Sequence, residues 1–150
     1  MKNKEFIFLN LQSISRMIIA LIFILISFDK LMNLDVLYTI ASFKDIQVSK
    51  HFTIITFPLL ELVLGIYLLI GYKIRPVSLM LAFLVAILTI FMHDFWSMSS
   101  HEMNFNLHIF MKNLMIFSGL IYIGSSPADK LSLDKSYETL KKNNKRRKLK

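Results

Sequence analysis

Four stretches of the chain are almost unbroken in apolar residues, at 14–34, 53–70, 76–92 and 105–124. Each approaches the roughly 20 apolar residues that a helix needs to cross a hydrocarbon core. The third opens at Pro76, a residue tolerated in a helix's first turn. Ile and Val are abundant, but lipid admits only helices and closed barrels, because every backbone polar group must be paired internally. Barrel strands alternate apolar and polar positions, and these runs do not. The pattern predicts an all-α protein, a four-helix transmembrane bundle. Residues 1–134 make the membrane domain, and 135–150 form a basic tail expected to be disordered.

The polar intervals between these runs differ from one another. Residues 33–50 place Leu34, Leu37, Ile40 and Ala41 at helical spacing, which predicts a short amphipathic helix in the interface or a lid over the bundle. Residues 97–104 carry no Lys or Arg. The turn between the second and third runs holds Lys73 and Arg75. The first run could be mistaken for a secretory signal behind Lys2 and Lys4. No small-residue cleavage site follows it, so an uncleaved first helix is expected.

All the basic residues except Lys30, Lys44, Lys50 and Lys112 fall in the N-terminal flank, the second turn or the tail. Basic loops stay on the cytoplasmic side, so both termini are predicted cytoplasmic. The net charge is +8, but the basic cluster at 141–150 has no interleaved aromatic residues. It is expected to lie near anionic lipid head groups and not on nucleic acid. The 150 residues suit one domain. A hydrophobic content of 55% with a mean hydropathy of +0.54 argues against a soluble one. There is no cysteine, hence no disulfide, thiolate metal site or redox thiol.

Charge inside a bilayer is costly and marks a functional candidate. Counting inward from the outer helix starts places Glu61 and Lys112 at similar depth, able to pair. Asp29 and Lys30 approach the outer end of the first helix, and His93 and Asp94 close the outer end of the third. His108 lies one turn outward of Lys112, and Asn113 follows Lys112. All four helices thus contribute polar groups to the outer half, while the inner half reads as nearly all apolar. Two interpretations stand side by side. Either the charges pair only to orient the bundle, or they line an outer polar pocket for a head group, a quinone ring or a small anion.

In the third helix Ser78, Ala82, Ala86, Thr89 and His93 form a small-residue stripe suited to close helix packing. In the second, Glu61, Gly65, Leu68 or Leu69, and Tyr72 share a face, and Pro58 removes an amide one turn outward of Glu61. No metal site is expected, since His93, His101, Glu102 and His108 lack tight ligand spacing. A haem would need facing histidines, and only His93 and His108 qualify by position. No hydrolytic triad or phosphate-binding glycine fingerprint is legible.

Several of these pieces together resemble the DoxX family of small bacterial membrane proteins. They are Ser15-Arg16, Phe28-Asp29-Lys30-Leu31, Glu61-Leu62-Val63-Leu64-Gly65, Leu68 to Arg75, His93-Asp94-Phe95-Trp96, Phe110-Met111-Lys112-Asn113-Leu114 and Ser132-Leu133-Asp134. One departure is Ser27, where family members often have glycine. The resemblance implies a multi-pass protein of the bacterial inner membrane. It also implies a link to thiosulfate:quinone oxidoreductase or related membrane oxidoreductase complexes.

On that basis the leading expectation is a redox-linked subunit that binds a quinone or small anion. Glu61 and His93 would handle protons, and Lys30, Asp94, Lys112 and Asn113 would bind the ligand. Any sulfur transfer through a thiol would fall to a partner subunit. The competing expectation is a non-enzymatic scaffold or lipid-binding protein. A third, a small-solute transporter, would require a homo-oligomer.

Overall fold

The computed structural model describes residues 2–35, 38, 50–92, 96 and 100–148. Among them are five helices and no strand. These are α1 (Lys2–Met32), α2 (Lys50–Ile70), α3 (Ile74–Met92), α4 (Ser100–Ser125) and α5 (Leu133–Lys148). The second, third and fourth apolar runs fall within α2, α3 and α4, and the first runs two residues past the end of α1. Three spans, Leu11–Met32, Ile74–Met92 and Met103–Ser125, are long and apolar enough to cross a membrane, and α2 carries the shorter apolar stretch Ile54–Ile70. The expected amphipathic helix at 33–50 lies mostly outside the described residues.

Two helix starts differ from the expectation. α1 begins at Lys2 and not near residue 14, and α4 begins at Ser100 and not near residue 105. Apolarity marks where lipid begins, whereas a helix can continue through polar residues that contain no breaker. No Gly or Pro occurs before residue 58, and α1 extends through its polar N-terminal residues. α2 also runs through Pro58 without interruption. The third difference is α5. Where a disordered tail was expected, the chain is helical to Lys148.

α1 packs on α2, α2 on α3 and α3 on α4. Gly65 sets the α1–α2 approach, since a Cβ there would lie 3.1 Å from Ile24 Cγ1 and 3.5 Å from the Ala20 carbonyl oxygen. Gly124 sets the α3–α4 approach, with a Cβ position 2.8 Å from Ser78 Oγ. The core is built around Ala20, Phe23, Leu64, Leu68, Leu81 and Leu120. It lies toward the end of the bundle that holds the α2–α3 turn, here called the basic end. Toward the opposite, loop end the buried interior includes Ser27, Glu61 and Thr89. Ile18, Leu25, Phe28, Phe83 and Met115 are exposed around the outside, an apolar surface suited to contact with lipid.

The small-residue stripe of α3 faces inward as expected, with Ser78, Ala82 and Thr89 buried and Ala86 half-buried. On α2, Glu61, Gly65 and Leu68 are buried on one face, while Tyr72 lies exposed beyond the helix end.

Candidate functional site

Toward the loop end, Lys30 Nζ donates to Glu61 Oε2 at 2.6 Å. The geometry follows from helix direction. A Cα–Cβ bond tilts toward its own helix's N-terminus. α1 runs away from the basic end and α2 runs back to it. The Lys30 stem therefore drops toward the core while the Glu61 carboxylate rises to meet it. The two ends of the pair are unequally covered: the Glu61 side chain is 4% exposed and that of Lys30 is 30% exposed. Below them Ser27 is fully buried, with its hydroxyl donating to the Phe23 carbonyl at 2.6 Å. Ser27 thus acts as a small buried residue on the inward face of α1. Asp29 turns outward and accepts from Asn33 Nδ2 at 2.9 Å.

The expected partner of Glu61 was Lys112, and this is corrected. Gly124 stands opposite Ser78, which fixes the register of α4 against α3. At about 1.5 Å per residue, that register puts Gly119 near the height of Glu61 and Lys112 roughly 10 Å further toward the loop end. Lys112 is exposed there, as is His108, while Asn113 is half-buried. The depth estimate failed because the outer ends of the two apolar runs do not lie at one height: with Gly124 opposite Ser78, residue 105 lies further toward the loop end than residue 53. His93 and Asp94 lie outside the described residues.

Thr89 stands apart from the other buried hydroxyls. Ser27 and Ser78 each donate to a carbonyl four residues back in their helices. Thr89 Oγ1 is buried and has no hydrogen-bond partner among the described residues. Such an atom costs about 1–3 kcal/mol in an apolar interior. On α2, Pro58 supplies no amide to the Ile54 carbonyl.

The basic end is not the apolar half that the sequence suggested. Arg16, counted there as a flanking charge, is 1% exposed and donates from Nε to Asp129 Oδ2 at 2.7 Å. Its Nη1 donates to the carbonyls of Leu68 and Leu69, and its Nη2 to Leu131 O at 3.2 Å. The last carbonyls of α2 have no amide of their own helix to accept from, and the negative end of the helix dipole favours a cation there. Asp129, also 1% exposed, accepts from Ser13 Oγ at 2.8 Å and from the Leu131 amide at 3.1 Å. Every polar group of this knot is bonded within the protein, which identifies it as a structural clamp. Arg16 was visible in sequence as a charge beside an apolar run. Asp129 gave no signal, because it sits in a short polar connection like many others.

A family model, DoxX, matches residues 11–94. The chain belongs to the DoxX family. The DoxX match contains Arg16, Lys30, Glu61 and Thr89, and it ends before Lys112, Asn113 and Asp129. The pair at the loop end therefore lies wholly within the family region, whereas the basic-end clamp is completed by residues beyond it. No curated protein and no solved structure matches the chain.

Proposed function

We propose that this DoxX-family protein is a redox-linked membrane subunit that binds a quinone ring or a small anion at Lys30 and Glu61. The observation that carries the reading is the unequal cover of that pair. A carboxylate buried at this depth has to be compensated, and Lys30 compensates it with one of its three donors. The other donors of the partly exposed ammonium are then available to a ligand oxygen, a quinone carbonyl or an oxyanion. Glu61 is placed to take up or release a proton as the ligand's charge changes, with electrons supplied by a partner subunit.

Two further features support a ligand on this side. Thr89 offers a buried hydroxyl that has no hydrogen-bond partner among the described residues. About three helical turns beyond the Ser78–Gly124 contact, α3 and α4 each present the same face again, which brings Thr89 and Asn113 to one height. Lys112 lies further toward the loop end, where an anionic ligand would enter. The distribution of basic residues favours an inner-membrane protein whose basic end faces the cytoplasm.

Native mass spectrometry of the protein released from mild detergent tests the reading. The unmodified protein is expected to carry a quinone or small anion, and Lys30→Met to lose it while keeping its fold. Unmodified protein that retains phospholipid alone would contradict the proposal and return the scaffold reading.

A further inference from the structure

α5 begins at a fixed place. The Asp134 amide donates to the Gly71 carbonyl at 3.1 Å, and the Asp134 carboxylate accepts the amides of Lys73 and Ile74, each at 2.8 Å. Ser132 Oγ accepts the Lys135 amide at 3.2 Å, capping the N-terminus of α5. The first turn of α5 is thereby tied to the α2–α3 turn, where the apolar spans end. Tyr67, Tyr72 and Tyr122 are exposed at this same end, as tyrosines are at a membrane interface. The Lys73 ammonium lies 5.5 Å from the centre of the Tyr72 ring.

From that anchor, α5 presents Leu133, Tyr137 and Leu140 at spacings of four and three residues, which makes one stripe. Their exposures are 51%, 74% and 62%, and among the described residues no other helix packs extensively on α5. Lys141 and Lys145 flank the stripe one turn apart, and Lys142 lies on the opposite side of the helix. Lysine stems beside an apolar stripe reach along it and carry their charges to the head groups.

We infer that α5 lies on the membrane surface at the basic end, with Leu133, Tyr137 and Leu140 in the acyl boundary and its lysines on anionic phospholipid. Lipid is the occupant that the anchor, the stripe and the charge of α5 favour. The helix starts at the level of the bilayer surface, its apolar stripe is narrow, and its charge complements an anionic leaflet. The inference is independent of any ligand at Lys30.

The chain's lack of cysteine makes the test direct. Single cysteines at Leu140→Cys and Lys142→Cys carry an environment-sensitive fluorophore on the full-length protein. The protein is held in nanodiscs of phosphatidylcholine, with or without phosphatidylglycerol. With phosphatidylglycerol, the label at 140 is expected to shift to the blue and to be at least about twofold less quenched by acrylamide than without it. The label at 142 stays equally quenched in both. Replacing Lys141, Lys142, Lys145 and Arg147 together by Gln should abolish the lipid dependence and leave the melting of the bundle unchanged. If label 140 is quenched as strongly as label 142 in phosphatidylglycerol discs, the helix stands in water and the inference fails. It fails equally if label 140 is protected alike in both lipids and in detergent, because a protein surface then covers the stripe.

Discussion

At the residue scale, two ion pairs of different kinds are built into the bundle. In the basic-end clamp both partners are buried and fully bonded, so removing one leaves an uncompensated charge. Asp129→Ala is expected to cost about 3–5 kcal/mol, read as a fall in thermal stability in detergent. Asp129→Asn, which keeps an acceptor for Ser13 and Arg16, should cost clearly less. Equal losses for the two variants would show that charge alone matters at this position. The Lys30–Glu61 pair is asymmetric, and its mutants should be too. Lys30→Met strands a buried carboxylate and should cost up to about 3 kcal/mol, whereas Glu61→Gln leaves a lysine that can swing to the interface. Combining the two should recover part of the Lys30→Met loss. Combining Glu61→Gln with Lys112→Met should be additive, as for residues out of contact. Recovery in that second combination and not in the first would restore the Glu61–Lys112 pairing. Sequence made Glu61 and Lys30 visible as charges in apolar runs. It could not pair them, because depth counted from the edge of an apolar run is not depth along a helix.

At the element scale, the packing depends on one tight turn. Gly71 has φ +72°, in the left-handed region, and a Cβ there would lie 2.6 Å from Ser132 Cβ. An alanine at 71 pays about 1–3 kcal/mol in backbone strain alone, and it must also push the Ser132 segment away. Gly71→Ala is therefore expected to lower stability and to expose the 126–132 connection to protease. Protease resistance equal to that of the unmodified protein would show that this connection is not held by the turn. The four long helices were legible in the sequence because each is a sustained apolar run. The start of α1, the start of α4 and the whole of α5 were not, since those residues are polar enough to leave lipid yet contain no breaker. The anchoring of α5 depends on Asp134 bonding to amides some 60 residues earlier in the chain, a contact that no local pattern announces.

At the scale of the whole molecule, the polar groups separate by function. The basic end is bonded shut around Arg16 and Asp129, with α5 leading away from it. Toward the loop end a buried carboxylate meets a partly exposed ammonium, and the Thr89 hydroxyl has no partner among the described residues. The asymmetry of basic residues predicts which side each end faces. A reporter fused at residue 150 should give a cytoplasmic signal, and one inserted within 97–104 should not. A cytoplasmic signal from the latter would invert the molecule and place the Lys30–Glu61 pair toward the cytoplasm. Family membership was legible from motifs spread along the chain. The proposed ligand was not, because a charged pair in lipid can accept any oxygen-bearing molecule and its residues do not name one.

The central claim is that Lys30 and Glu61 hold a ligand and do more than brace two helices. Direct titration of the purified protein in nanodiscs with decylubiquinone, and separately with sulfate, tests it in one assay on the unmodified protein and on Lys30→Met. Loss of one charge-assisted hydrogen bond corresponds to about a tenfold or greater weakening. The account predicts saturable binding of at least one of the two probes, weakened by that factor in Lys30→Met protein whose helical content is unchanged. Binding of equal strength in both proteins, or no binding of either probe to the unmodified protein, would contradict it.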